Sequence, residues 1–185
     1  MPCGDELLLQ RVVRLVGDVV TPVVVAARRG QALPPLSAEV EVVYDRVKDA
    51  GPLAGIVAGL EALEDRCAAA FVCSCDNLLL RPEFIQGLIQ RLGDAPGVVP
   101  RHGGRVHPLA AVYRVTTLPL AREMLADGER RATDFAERCG ATAMSSSELV
   151  DVDPDLDSLK NVNAPETYAR AIRAIEGGGM SKDDG

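Results

Sequence analysis

Tryptophan is absent from this sequence and aromatic residues make up only 3% of it. A core without large rings must be built from Val, Leu, Ile and Ala, which suits parallel strands covered by helices. Basic charge is also scarce, with 20 Lys and Arg against 27 Asp and Glu for a formal charge of −7. That balance excludes a general nucleic-acid binder, because no basic field collects phosphates. A small charged ligand remains open. No apolar run approaches the length of a membrane span and the opening residues do not read as a secretory segment, so a cytoplasmic protein away from the membrane is expected. The cysteines at positions 3, 67, 73, 75 and 139 are odd in number and dispersed, which fits reduced thiols. A length of 185 residues suits one full core, so a single domain over 1–176 is expected. Residues 177–185, with three consecutive glycines, read as a disordered tail.

What the chain does contain is an alternation of helical and strand patterns. A helix is expected from Glu6 to Val16, with Asp5 as its cap and Leu8, Val12, Leu15 and Val16 as its apolar stripe. The β-branched run Val20 to Ala27 reads as a strand that ends at Arg28, and Val40 to Tyr44 as a shorter one with Asp45 just beyond it. Gly51-Pro52 opens a helix whose stripe is Leu53, Ile56, Val57, Leu60 and Leu63. The apolar run Ala68 to Cys75 then ends in Asp76, as expected of a parallel strand buried on both faces. Further helices are expected over Pro82–Leu92, Leu118–Leu125 and Thr133–Cys139, and from about Pro165 to Ile175. Strands are expected near Gly97–Pro100, Leu109–Tyr113 and Glu148–Val152. The class is α/β with three layers, α/β/α, around a doubly wound, mostly parallel sheet.

In such sheets ligands bind beyond the carboxyl ends of the strands, and that edge should carry the Arg28 loop, Asp45, the 51–55 segment, Asp76 and the 161–163 pair. Each has a bland reading beside a functional one. Asp76 either caps the following turn or binds Mg²⁺, which selects hard oxygen ligands and takes the rest from phosphates. Gly51 and Gly55 either mark a helix start or let backbone approach a flat base or ribose. Asn163 makes a good helix cap with Glu166 three residues on. His107 has no partner visible in sequence, so a histidine that satisfies its own hydrogen bonds is the default. Cys73 and Cys75 share a strand face and are expected to be buried. The acidic run Asp151, Asp153, Asp155 and Asp157 lacks the spacing of a calcium loop and reads as a solvated loop.

Four ordered stretches carry a resemblance: Gly51-Pro52-Leu53-Ala54-Gly55-Ile56, Cys75-Asp76, His107-Pro108-Leu109-Ala110-Ala111-Val112-Tyr113-Arg114 and Asn161-Val162-Asn163-Ala164-Pro165-Glu166. Together they resemble the motifs of molybdenum cofactor guanylyltransferases over nearly the whole chain. The resemblance implies a Rossmann-like fold of the nucleotide-diphospho-sugar transferase type. It also implies transfer of GMP from GTP to Mo-molybdopterin, with Mg²⁺ held by Asp76 as the catalytic residue. Arg28, Asp45, Gly51, Leu53, Gly55 and Asp76 would contact the nucleotide, and Arg101, His107, Asn161 and Asn163 the molybdopterin. Molybdoenzymes or their chaperones would be further partners of an expected monomer. A cytidylyltransferase of the same fold is the nearest rival, and an inactive molybdopterin-binding or chaperone-like domain the rival from another class.

Two departures stand out. Leu78 occupies a position where the family has Pro. The family also opens with a strand and a glycine-rich loop bearing Arg and Lys, whereas Met1-Pro2-Cys3-Gly4-Asp5 resembles the interior of that segment just after its lysine. The expectation is therefore a domain shortened at its amino end, with its first strand missing and its true start upstream, or a deletion form of doubtful activity.

Overall fold

The computed structural model describes residues 2–3, 6–45 and 51–160, with side chains from Glu6 onward. Short strands β1 (Pro2–Cys3) and β2 (Glu6–Leu7) pair antiparallel. Helix α1 (Leu8–Gly17) follows directly. The helix thus starts two residues later than the sequence pattern suggests. The Leu7 amide donates to Gln10 Oε1 at 2.8 Å, so a side chain from within the first turn serves the helix start; Asp5 lies outside the described residues.

The chain then forms β3 (Val23–Ala27) and β4 (Val40–Tyr44), a parallel pair. Helix α2 (Gly51–Leu63) leads to β5 (Ala69–Cys73), and α3 (Pro82–Gln90) to the hairpin of β6 (Gly97–His102) and β7 (Arg105–Val106). Gly103 and Gly104 make that two-residue turn with φ of +56° and +75°, left-handed values that favour glycine at both central positions. Strand β8 (Ala110–Arg114), helices α4 (Leu118–Ala126) and α5 (Ala132–Arg138), and β9 (Thr142–Ser145) complete the regular elements.

Strand β8 runs antiparallel to both β5 and β6, so β5 and β6 share a direction, and β9 is parallel to β6. The expected common strand direction therefore holds for β5, β6 and β9, with β8 reversed between two of them. Among the described residues no ladder joins β3 to β5; the β3–β4 pair and the five-stranded sheet are separate, although α2 packs on strands of both.

Alternation along the strands builds the three layers. Phe71 and Val112 face α1 and α3 in a core with Leu8, Val12, Phe84, Ile85 and Leu88. Val72, Ala111 and Tyr113 face the opposite core, formed by α2, α4 and α5 through Leu53, Leu60, Leu118, Met124 and Phe135.

Three expectations are corrected. All five residues of β5 are only half-buried, because one of its edges carries no ladder partner among the described residues. The last strand is not Glu148–Val152 but β9, whose modest apolar pattern is overridden by parallel pairing with β6 and by burial of Met144. The acidic run is not a solvated loop at its centre. Asp153 is fully buried, accepts the amides of Asp157 and Ser158 at 3.0 and 2.8 Å, and pairs with Arg81 at 3.4 Å.

Candidate active site

Topology places most of the suspected residues at one edge. The Asp45 amide donates to the Ala27 carbonyl at 3.1 Å, so Asp45 and the exposed Arg28 are neighbours at the carboxyl ends of β3 and β4. Residues 46–50 connect Asp45 to the start of α2. Pro52, in the first turn of α2, lines a cavity of about 320 Å³ together with His107, Pro108 and Leu109 and with Arg131 and Thr133 at the start of α5. Cys73, the last residue of β5, pairs with Ala110, and the Ser74 amide donates to Leu109 O at 3.1 Å. The carboxyl end of β5 therefore abuts the same cavity wall. Arg101 lies exposed near the end of β6, on the hairpin that leads into His107, whose own amide donates to Pro100 O at 2.9 Å. Asn161 and Asn163 lie outside the described residues.

The glycines at the start of α2 divide in role. Gly51 has φ of +68°, and a Cβ placed on it would lie 2.7 Å from the Arg130 carbonyl oxygen. That oxygen also accepts the Leu53 amide at 3.2 Å, so the start of α2 is clamped to the segment before α5. Gly55 sits inside the helix rather than in a turn, and its missing side chain faces Ala26 of β3 at an ordinary 3.9 Å. The Leu53 side chain is fully buried in the core. With its amide also taken, Leu53 shapes the helix start and offers no side-chain group to a ligand.

Asp76 sits partly exposed just past β5. Its Oδ1 accepts the Ser74 hydroxyl. Among the described residues no backbone amide donates to its carboxylate and Oδ2 takes no hydrogen bond, so the capping role is not the one it plays. No group of three or more His, Cys, Asp or Glu converges among the described residues. A lone, accessible carboxylate fits Mg²⁺ in the way that ion is usually held, by one or two carboxylates with water and substrate phosphates completing the octahedron. Cys73 lies just before it, and burial, with Cys75 and Asp76 nearby, pushes that thiol up to about 12, so it stays protonated. Cys75, expected to be buried, is exposed because it falls beyond the end of the strand.

The cavity wall is held by Tyr113, fully buried against Phe135 with ring centroids 5.0 Å apart. Burial pushes its phenol well up, so it remains a donor, and its hydroxyl donates to Pro108 O at 3.0 Å. His107 is half-buried, and burial, aided by His102 and Arg105, holds its pKa below 6.5. Its imidazole is thus neutral near pH 7. Sequence reasoning missed Arg131 and Thr133. The available signal was the adjacent pair Arg130-Arg131 after Gly128, between two helical patterns. Arg130 itself is structural and donates to the Leu125 carbonyl at the end of α4 at 3.2 Å. Arg131 is exposed and pairs with Asp134 at 2.7 Å.

In a chain of net charge −7, the exposed Arg28 follows the end of β3, Arg101 and Arg105 lie on the β6–β7 hairpin, and Arg131 lines the cavity. Such an arrangement belongs to the α/β proteins that act on phosphate-bearing ligands at the carboxyl ends of their strands. The family described as MobA-like NTP transferase domain matches residues 1–142. A probable molybdenum cofactor guanylyltransferase of Mycobacterium ulcerans is 34% identical over 176 residues, covering 94% of this chain and 83% of that protein. One from Methanosarcina mazei is 30% identical over 173 residues, covering 90% and 76%. Among solved structures, the molybdopterin-guanine dinucleotide biosynthesis protein A of Archaeoglobus fulgidus superposes with a TM-score of 0.75 at 23% identity, covering 96% of this chain and 89% of that one. The 2-C-methyl-D-erythritol 4-phosphate cytidylyltransferase of Thermus thermophilus gives 0.70 at 15%, covering 95% and 91%. The last two speak to the fold alone. The chain belongs to the MobA-like NTP transferase family and is a nucleotidyltransferase.

Proposed function

We propose that this protein transfers GMP from GTP to Mo-molybdopterin, forming the guanine dinucleotide of the cofactor and pyrophosphate. The observation that carries the reading is Asp76, with Oδ2 free of hydrogen bonds among the described residues, just past the carboxyl end of β5, whose partner residues Leu109 and Ala110 line the cavity with His107 and Arg131. It is supported by relatives named molybdenum cofactor guanylyltransferases at 30–34% identity across most of the chain.

In this reaction a terminal phosphate oxygen of molybdopterin attacks the α-phosphorus of GTP. A new P–O bond forms there as the bond to the β-phosphate breaks, and pyrophosphate leaves. Asp76 would hold Mg²⁺, which when bound would neutralise charge developing on the phosphoryl oxygens. The protein's part is to orient the two substrates. In this reading Asp45 and the Gly51 backbone contact the ribose and base, with Leu53 and Gly55 fixing α2 behind them, and Arg28 contacts the nucleotide. Arg101, His107, Asn161 and Asn163 are assigned to the molybdopterin, joined by Arg131 and Thr133 of the same cavity. A neutral His107 offers one donor and one acceptor, as a pterin edge or a phosphate would use.

The fold is shared with a cytidylyltransferase, so base choice needs its own test. Equilibrium titration of GTP against CTP in the presence of Mg²⁺ should give clear preference for GTP; preference for CTP overturns the guanine assignment. Tight binding of GTP and Mo-molybdopterin with no pyrophosphate released would instead support a binding domain without turnover.

A further inference from the structure

Ser74 is the first residue beyond β5, and its amide is tied to Leu109 O at 3.1 Å, so its position is set by the β5–β8 ladder. Its hydroxyl has a single proton and two acceptors in reach, Asp76 Oδ1 and, at 3.1 Å, Asn77 Oδ1. Asn77 is 1% exposed, and its Nδ2 donates to Ser158 O at 3.4 Å, which turns its Oδ1 toward Ser74. Ser158 is itself fully buried and doubly held: its amide donates to Asp153 Oδ2 at 2.8 Å, and its Oγ accepts the Arg81 amide at 3.0 Å. A continuous chain of side-chain and backbone bonds thus runs from the buried Asp153 through Ser158, Asn77 and Ser74 to the Asp76 carboxylate.

We infer that Ser74 is a positioning residue that acts through Asp76. The inference rests on the reading of Asp76 as the metal-binding carboxylate. A charged acceptor outcompetes a neutral amide for the hydroxyl proton, so Oδ1 is engaged and the carboxylate is held in one orientation with Oδ2 left over. When a cation draws charge from the carboxylate, the proton has a second acceptor in Asn77 Oδ1. The hydroxyl proton thus has an acceptor in either condition, Asp76 Oδ1 in one and Asn77 Oδ1 in the other.

The test uses Mn²⁺ as a probe, with its binding measured by electron paramagnetic resonance in the presence and absence of GTP, independently of turnover. Ser74→Ala should raise the Mn²⁺ concentration for half-saturation roughly tenfold to a hundredfold, the loss of one hydrogen bond to a charged group. Ser74→Thr, which keeps the hydroxyl, should restore wild-type binding, and Ser74→Cys, a poor donor of similar size, should behave as Ala does. Wild-type Mn²⁺ binding in Ser74→Ala while Asp76→Ala binds weakly overturns the role of Ser74 and leaves the metal reading intact. Wild-type binding in Asp76→Ala overturns the metal reading itself. A Ser74→Thr variant as weak as Ser74→Ala, with its melting temperature unchanged, also counts against the inference.

Discussion

Gly51 and Gly55 are four residues apart in one motif, yet the structure gives them opposite tolerance to a methyl group. At Gly51 a side chain meets two costs. Its φ of +68° lies where an L-residue pays roughly 1–2 kcal/mol. The added Cβ would also lie 2.7 Å from Arg130 O, which cannot retreat without losing the Leu53 amide at 3.2 Å. Forced contacts of that kind in a packed region cost about 1–3 kcal/mol. Gly51→Ala should therefore lose roughly 2–5 kcal/mol and melt about 4–20 °C lower. Gly55→Ala meets only Ala26 at 3.9 Å inside a helix, where alanine is favoured over glycine by about 0.5–1 kcal/mol. It should be neutral or slightly more stable. Urea and thermal unfolding followed by circular dichroism measure both. A Gly51→Ala protein as stable as its parent refutes the clamp between α2 and Arg130. A stable Gly55→Ala protein that has lost GTP binding would mean that the missing side chain serves the nucleotide after all.

Asp153→Ala leaves the amides of Asp157 and Ser158 without acceptors in a buried turn, and should cost about 2–4 kcal/mol, with Asp153→Asn in between because one acceptor remains. Unfolding in urea checks the order Asp > Asn > Ala, and equal stability of the wild-type protein and both variants would refute it. His107 contributes to the acid limb of stability. Its folded pKa is below 6.5, so between that lowered value and 6.5 the unfolded chain binds more protons and stability falls as pH falls. Replacing His107 with Gln should flatten that part of a stability profile measured from pH 7.5 to 5; an unchanged slope would count against a half-buried neutral imidazole.

The α/β class, the order of the elements and the stripe of α2 were legible because apolar periodicity over long segments is dictated by the layer each segment faces. Gly51-Pro52 and the strand running into Asp76 were legible for the same reason, since both mark abrupt ends of periodic runs. The reversal of β8 was not, because an apolar strand such as Ala110–Arg114 reads the same in either direction and only its neighbours decide. Strand β9 was missed because Thr142-Ala143-Met144-Ser145 has little β pattern of its own and is recruited by the edge of β6. At the candidate site, Asp76 and Arg28 were singled out by their places at strand ends, and His107 only through the family resemblance. Cavity-lining Arg131 depended on where a loop between two helices lands, and Asp153 looked solvated because its buried partners are backbone amides and a distant arginine. Backbone amides leave no mark in a sequence.

The central claim is that Asp76 serves the transfer of a nucleotidyl group. Pyrophosphate release from GTP with Mo-molybdopterin and Mg²⁺, compared between the wild-type chain and Asp76→Ala, tests it most directly. The account predicts release that requires both substrates and falls by roughly a hundredfold or more in the variant, in line with losing a group that stabilises transition-state charge. A variant as active as its parent would contradict it.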